Sequence, residues 1–349
     1  MKKKSLLGLV LLAGVQAFPS PAPAQSPVES FFRGRTISLL VGFAPGGVND
    51  ISARVVARHL PRFLPGAPNI VVQNQPGAGG LTASNFLYNA APKDGTVIAS
   101  LDRGSPQLAI QGDRDAKFDP LKFTWFGSIS SYANDAYMLL VNASGPTKSV
   151  DDLRRAGPVT RLGAVAAGSS NLVFALVAKE VLRLNVDIIR GYTGAAPMFL
   201  AMQGGELDGQ VVGLSSTRAG QPDLWARKLV RPLAQFGRTT RLPELADAPT
   251  GRELAPDEDA RSLVAFAELP FFMALPFAAP PGLPPERAKA YEDGFMAMAR
   301  DPAFVAEAEK LGLDVSPIGA EALRGLLARS AATPAAVIDR YNALLSPKR

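Results

Sequence analysis

Strand-like and helix-like segments alternate along this chain, and the alternation leaves it few folds to adopt. Residues 35–43 (RTISLLVGF) form a β-branched, apolar run, and residues 49–60 carry apolar side chains at helical spacing. Residues 69–74 read as a second strand, 81–90 as a helix and 96–101 as a third strand. This βαβαβ order argues for a parallel sheet with helices on both faces and loops gathered at the carboxyl ends of the strands. The style returns further on. Strands at 137–142, 161–165, 186–190 and 207–212 alternate with helices at 149–155, 170–184 and 195–202. Ser149 opens the first of these helices as its N-cap, with Asp151 and Asp152 in the first turn. Residues 123–132 read as a strand connecting the two α/β units, and the apolar 266–277 as a strand returning from the second to the first. Pro280, Pro281, Pro284 and Pro285 then punctuate a mostly helical stretch that runs to Leu345.

Composition narrows the chemistry. With no Cys there is no disulfide framework, thiol nucleophile, thiolate zinc site or iron–sulfur cluster, and one His allows no His-pair metal site. His59 itself falls inside a helical pattern and reads as a partly buried helix residue. Ser105, Ser169 and Ser170 lack a G-x-S-x-G frame and a positioned imidazole. Glu206 and Asp208 are a carboxylate pair with nothing around them to support acid–base work. No enzyme activity, metal or cofactor is expected.

The first residues are set apart from the rest. Lys2, Lys3 and Lys4 precede an apolar stretch from Leu6 to Phe18, and Ala22-Pro23-Ala24 follows as a small-residue site. This is the layout of a secretory signal, residues 1–24, cleaved near Ala24. The apolar run falls short of the roughly 20 residues that span a bilayer. Those three lysines belong to a total of 37 Lys and Arg against 31 Asp and Glu, so half of the formal excess leaves with the leader. No basic run interleaved with aromatics remains, so nucleic acid is not an expected partner.

Four strand-to-helix turns carry the chemistry that is left. They are 44–50 (APGGVND), 76–80 (PGAGG), 167–171 (AGSSN) and 192–195 (YTGA). Glycine lets backbone approach a ligand closely, and the N–H groups at a helix start favour carboxylate or phosphate. Each turn taken alone is ordinary turn chemistry, with Asn49, Asp50 and Ser170 as plain helix caps. Matched turns in both units point instead to two walls facing across a cleft. Neither glycine cluster is followed by Lys-Ser/Thr, and neither matches G-x-G-x-x-G, which disfavours a nucleotide.

In this order and spacing the pieces resemble the Bug family, the extracytoplasmic solute receptors of tripartite tricarboxylate transporters. The resemblance rests on Phe43-Ala44-Pro45-Gly46-Gly47 with Asp50 and Arg54, and on Asn74 with Pro76-Gly77-Ala78-Gly79-Gly80. Pro92-Lys93-Asp94-Gly95-Thr96, Gly168-Ser169-Ser170, Tyr192-Thr193-Gly194-Ala195-Ala196-Pro197 and the stretch from Leu242-Pro243 to Glu253 support it. It implies a type II periplasmic binding protein, two α/β domains of mostly parallel sheets flanked by helices, with a ligand cleft between them. The implied division is 25–130 plus 256–349 for one domain and 131–255 for the other. It also implies a monomer that captures a small organic acid by closure and delivers it to membrane permease subunits.

Carried onto this chain, the first-domain contacts are Ala44, Gly46, Gly47, Val48, Asn49, Asp50, Gly79 and Gly80, and the second-domain contacts Gly168, Ser169, Ser170, Tyr192 and Thr193. Arg103, just past the third strand, either faces the cleft to pair with a second carboxylate or is a surface arginine. The chain departs from the family pattern in places: Val48 stands where a hydroxyl residue is frequent, Gln75 where a basic residue is common and Thr193 where Lys is common. The strand after Asp208 lacks the later Asp that amino-acid-binding relatives use, which points away from amino acids. Two rival readings share these residues, a sensory receptor of the same fold and a hydrolase built on Ser169 or Ser170.

Overall fold

The computed structural model describes residues 26–155, 157–165 and 169–346. The expected leader and Gly168 lie outside the described residues. In chain order the first half holds α1 (Pro27–Phe32), β1 (Thr36–Val41), α2 (Val48–His59), β2 (Asn69–Asn74), α3 (Leu81–Asn89), β3 (Val97–Ser100), α4 (Ser105–Ile110), β4 (Thr124–Ser128) and β5 (Tyr137–Asn142). Next come α5 (Val150–Arg154), β6 (Thr160–Ala164), α6 (Ser170–Leu176), β7 (Val186–Arg190), α7 (Ala195–Gln203), β8 (Gly209–Gly213), α8 (Leu214–Gly220), α9 (Pro222–Ala226) and β9 (Val230–Phe236). The remainder is α10 (Gly251–Leu254), α11 (Glu258–Phe272), β10 (Pro276–Ala279), α12 (Pro285–Ala299), α13 (Pro302–Lys310), β11 (Ile318–Gly319), α14 (Ala320–Ala331) and α15 (Ala335–Leu345).

The strands make two mixed sheets, ordered β11-β4-β10-β3-β1-β2 and β7-β6-β8-β5-β9. In the first, β2, β1 and β3 run parallel, while β10 and β11 run against their neighbours. In the second, β6 lies parallel to both β7 and β8, and β5 runs against β8 and β9. Both faces of each sheet are covered, which is why the strands read as near-continuous apolar runs. Ile37, Leu39 and Val41 of β1 bury into a core with Phe32, Val55 and Phe295, whereas Leu40 joins Trp125 and Leu323 on the opposite face. In β5, Leu139 and Val141 face one core of the second sheet, and Met138 and Leu140 the other.

Local signals account for the helix starts. Ser149 caps α5 and forms a reciprocal capping box with Asp152. Gly47, in extended conformation, caps α2, so Asn49 and Asp50 lie inside the helix. Ser169, one residue ahead of Ser170, caps α6 by accepting from the Leu172 N–H. The helix expected over 170–184 is α6 followed by a π-helical turn, Val177–Val181. His59 closes α2 as a buried residue, 2.6 Å from Glu307 and 2.9 Å from Arg62.

The main correction falls on 266–277. Its first seven residues are the end of α11, and only Pro276–Ala279 is strand. Helix α11 is wedged between cores, with Leu263, Val264, Phe266 and Phe271 in the second-sheet core and Leu269 in a first-sheet core, so its apolar residues show no single stripe. Pro270 inside it lacks the N–H that would bond the Phe266 carbonyl, and the Gln107 side chain donates to that carbonyl instead, at 2.6 Å. The chain passes from the first sheet to the second between β4 and β5 and returns between β9 and β10. After β11 it crosses once more, and Val337 and Tyr341 of α15 pack into the second-sheet core. Arg238 ties the two crossing segments together by donating to the carbonyls of Ala133 and Asp135, both at 2.8 Å.

Candidate functional site

The turns after β1, β2 and β3 meet at the carboxyl end of the first sheet. A side chain at Gly42 would sit 2.9 Å from the Gly80 Cα, and one at Gly80 would sit 2.9 Å from the Asp102 Cβ. Only glycines let the three turns close to this distance, and Gly80 further holds φ at +94°, where other residues are strained. Gly80 is therefore buried beneath the surface that Ala44, Gly46, Gly47, Val48 and Gly79 leave exposed. The first N–H groups of α2, at Val48 and Asn49, have no acceptor within the helix and open onto that surface.

Asp50 supports the turn from below. One of its carboxylate oxygens accepts from the Gly46 N–H (2.8 Å) and the Arg54 Nε (2.9 Å), and the other from the Asn74 Nδ2 (2.9 Å). Asn74 also donates to the Phe43 carbonyl at 2.9 Å, which sews the end of β2 to the turn after β1. The Arg54 side chain, with help from Gly46 and Asn74, holds the Asp50 carboxyl down at about 2, against the cost of burial. The residue is spoken for by its own loop, and its role is to fix where the neighbouring N–H groups point. The sequence pattern contains Asn74 and Arg54, yet only the fold reveals the network; the i,i+4 spacing of Asp50 and Arg54 is its one local trace.

Arg103 spans the gap to the second sheet. It projects from the turn after β3, its Nη2 lies 3.5 Å from the Ser170 hydroxyl at the start of α6, and its Cζ lies 4.5 Å above the Phe271 ring. Burial pushes the Tyr132 and Tyr137 phenols well above their usual range, with the nearby Arg103 charge opposing it. Asp102, the neighbouring carboxyl, is pushed up by burial and relieved by the Gly104 N–H at 2.8 Å. Sequence reasoning passed over Phe271, Tyr132 and Tyr137, which are far from the turns along the chain.

At the start of α6, Asn171 accepts from the Val165 N–H (2.9 Å) and donates to the Val211 carbonyl (2.6 Å), tying the helix to β8. Ser169 and Ser170 are half-buried there, and Thr193 is exposed on the turn before α7. The Tyr192 hydroxyl is bound at 2.6 Å to Glu206 on the turn between α7 and β8. Asp208 pairs with Arg161. A cavity of about 1300 Å³ lies between α11, α14 and the crossing segments, and of these site residues only Tyr132 borders it. Among the described residues no cluster of three or more His, Asp or Glu side chains could hold a metal ion, and no helix is long and apolar enough to cross a membrane.

Known proteins are similar to this chain in sequence and fold. The family model described as the tripartite tricarboxylate transporter family receptor matches residues 52–343. A UPF0065 protein of Cupriavidus necator is 29% identical over 238 residues, covering 66% of this chain and 68% of that protein. The protein BugT of Bordetella pertussis is 38% identical over 101 residues, 29% of this chain and 30% of its own length. A TctC solute binding protein from Polaromonas superposes with a TM-score of 0.69 at 20% identity, over 88% of this chain and 98% of that one. An R. palustris protein solved with adipate gives 0.57 at 22% identity, over 88% and 97%. A second R. palustris protein, with bound malate, gives 0.55 at 19%, over 89% and 99%. These structural likenesses are likenesses of fold.

Proposed function

Because the chain belongs to the tripartite tricarboxylate transporter receptor family, we propose that it is a periplasmic receptor for a small organic diacid, which it passes to membrane permease subunits. One carboxylate rests against the N–H groups of the 44–49 turn and Gly79, and Arg103 takes the other. Ser169, Ser170 and Thr193 close on the acid from the second wall. The two walls belong to a domain of 25–130 plus 256–349 and a domain of 131–255, with α11 and α15 reaching across. The ligand favours the closed form because only there do both walls touch it. Among the described residues none in the cleft is set up as a base beside a nucleophile, so the reading is binding without turnover. Relatives of the same fold with malate and adipate support a diacid.

The observation that carries this reading is the reach of Arg103 from the first sheet to Ser170 on the second. Calorimetry on the protein without residues 1–24 tests it, with malate, adipate, citrate, glutamate and a neutral sugar as titrants. Diacids without an ammonium group should bind. Arg103→Gln should weaken them about tenfold or more, the worth of a charged hydrogen bond. If no acid binds, the receptor reading is wrong. If Arg103→Gln binds diacids as tightly as the parent, the arginine is misplaced in it.

A further inference from the structure

We infer that Phe271 is a specificity-determining residue of this cleft, a positioning residue whose ring sets how far Arg103 reaches and so which length of diacid fits. The inference rests on the diacid-receptor reading above. Phe271 is 1% exposed and lies where the parts of the cleft floor meet. Its ring faces Tyr132 of the first crossing segment at 4.9 Å, Tyr137 of β5 at 5.1 Å and Phe174 of α6 at 5.6 Å. The Arg103 guanidinium rests on the same ring at 4.5 Å.

These contacts close a circuit. From Phe271 the path runs to Phe174, then back one helical turn along α6, about 5.4 Å, to Ser170, then 3.5 Å across the gap to Arg103, and down to Phe271 again. Both walls of the cleft are therefore gauged from one ring: Arg103 by stacking on it, α6 by packing Phe174 against it. The ring is itself held in place. Gly237, at the exit of β9, has φ +72°, and a side chain there would come within 3.0–3.3 Å of Phe271. Phe174 is backed in turn by Phe236 at 4.8 Å. Contacts from Tyr132, Tyr137 and Phe174 hold the ring in position, so the acid must match the gap. A smaller side chain at 271 lets the guanidinium sink toward the floor and lengthens the space between it and the 44–49 turn.

The test is the ratio of dissociation constants for the four-carbon and six-carbon unbranched diacids, succinate and adipate, measured by calorimetry. Phe271→Leu should move this ratio about fivefold or more toward adipate, the loss of a cation–π contact and its aim. Phe271→Met, which keeps volume and loses the flat face, should move it the same way if the leucine variant folds poorly. Arg103→Lys, on a half-exposed side chain, should do so too, because an ammonium does not stack as a guanidinium does. A purely structural role would weaken both acids by one factor and leave the ratio alone; that result, in any variant that folds, overturns the inference. Absence of diacid binding in the parent protein would instead remove the reading on which it rests.

Discussion

Glu268 makes the sharpest test of how the two halves are joined. Its side chain is fully buried on α11, where one oxygen accepts from the Gly237 N–H at 3.0 Å and the other from the Arg252 Nε at 2.6 Å. Burial lifts its pKa from 4.5 to about 7, with Arg252 pulling the other way. The folded state thus holds a proton at pH values where the unfolded chain has released it. Stability must fall as pH rises from 4.5 to 7, by about 1.4 kcal/mol per pH unit within that window, or about 3 kcal/mol in all. Glu268→Gln keeps the acceptor for Gly237 and cannot ionise. Urea denaturation of both proteins at pH 4.5, 5.5, 6.5 and 7.5 gives the comparison, and the difference between them cancels every other titrating group. Relative to the parent, the glutamine variant should gain about 3 kcal/mol between pH 4.5 and 7.5. A difference that stays constant across the series would refute the claim that this carboxyl is charged at a cost.

Two other perturbations bear on separate parts of the structure. Asp50→Asn removes a carboxyl held at about 2 against an ordinary 3.8, which is worth about 2 kcal/mol, trimmed toward 1 because Arg54 is half exposed. The parent enjoys this stabilisation above pH 3.8 and loses it as pH falls toward 2, so acid denaturation should separate the two proteins at neutral pH and bring them together near pH 2. Gln107→Ala should cost about 1–3 kcal/mol by orphaning the Phe266 carbonyl. Pro270→Ala restores a helical N–H to that carbonyl, so the double variant should be hurt less by the glutamine change, as a denaturation cycle would show.

Residues 69–74, 137–142 and 186–190 were legible to the residue, since β-branched runs bounded by Asn, Gly or Asp leave little choice. Strand β9 went unseen because Pro232 interrupts it. The structure seats that proline at a bulge, where Leu139 pairs with Ala234 and Leu140 with Pro232, so the sheet absorbs the interruption. The 266–277 run misled because the end of α11 packs into two different cores and so loses its period. In the site, glycine turns announced themselves because their conformation is a local demand. The fastening of Asp50 by Asn74, and the seat of Arg103 on Phe271, join residues 24 and 168 positions apart along the chain, and no local pattern encodes such a contact.

The repeated crossing of the chain bears on how it acquires its structure. The core around β1 is completed by Leu275, Phe295, Phe304 and Leu313, and the core around β5 by Leu263, Phe271, Val337 and Tyr341. The face of the second sheet that holds Met138 and Leu140 is sealed within residues 136–248, but its other face and the core around β1 need residues beyond 250. During synthesis, therefore, neither half is complete before the segments that close it have been made. The two halves then mature together, and a truncation at residue 330 should leave the half built around β5 without the helix that closes it.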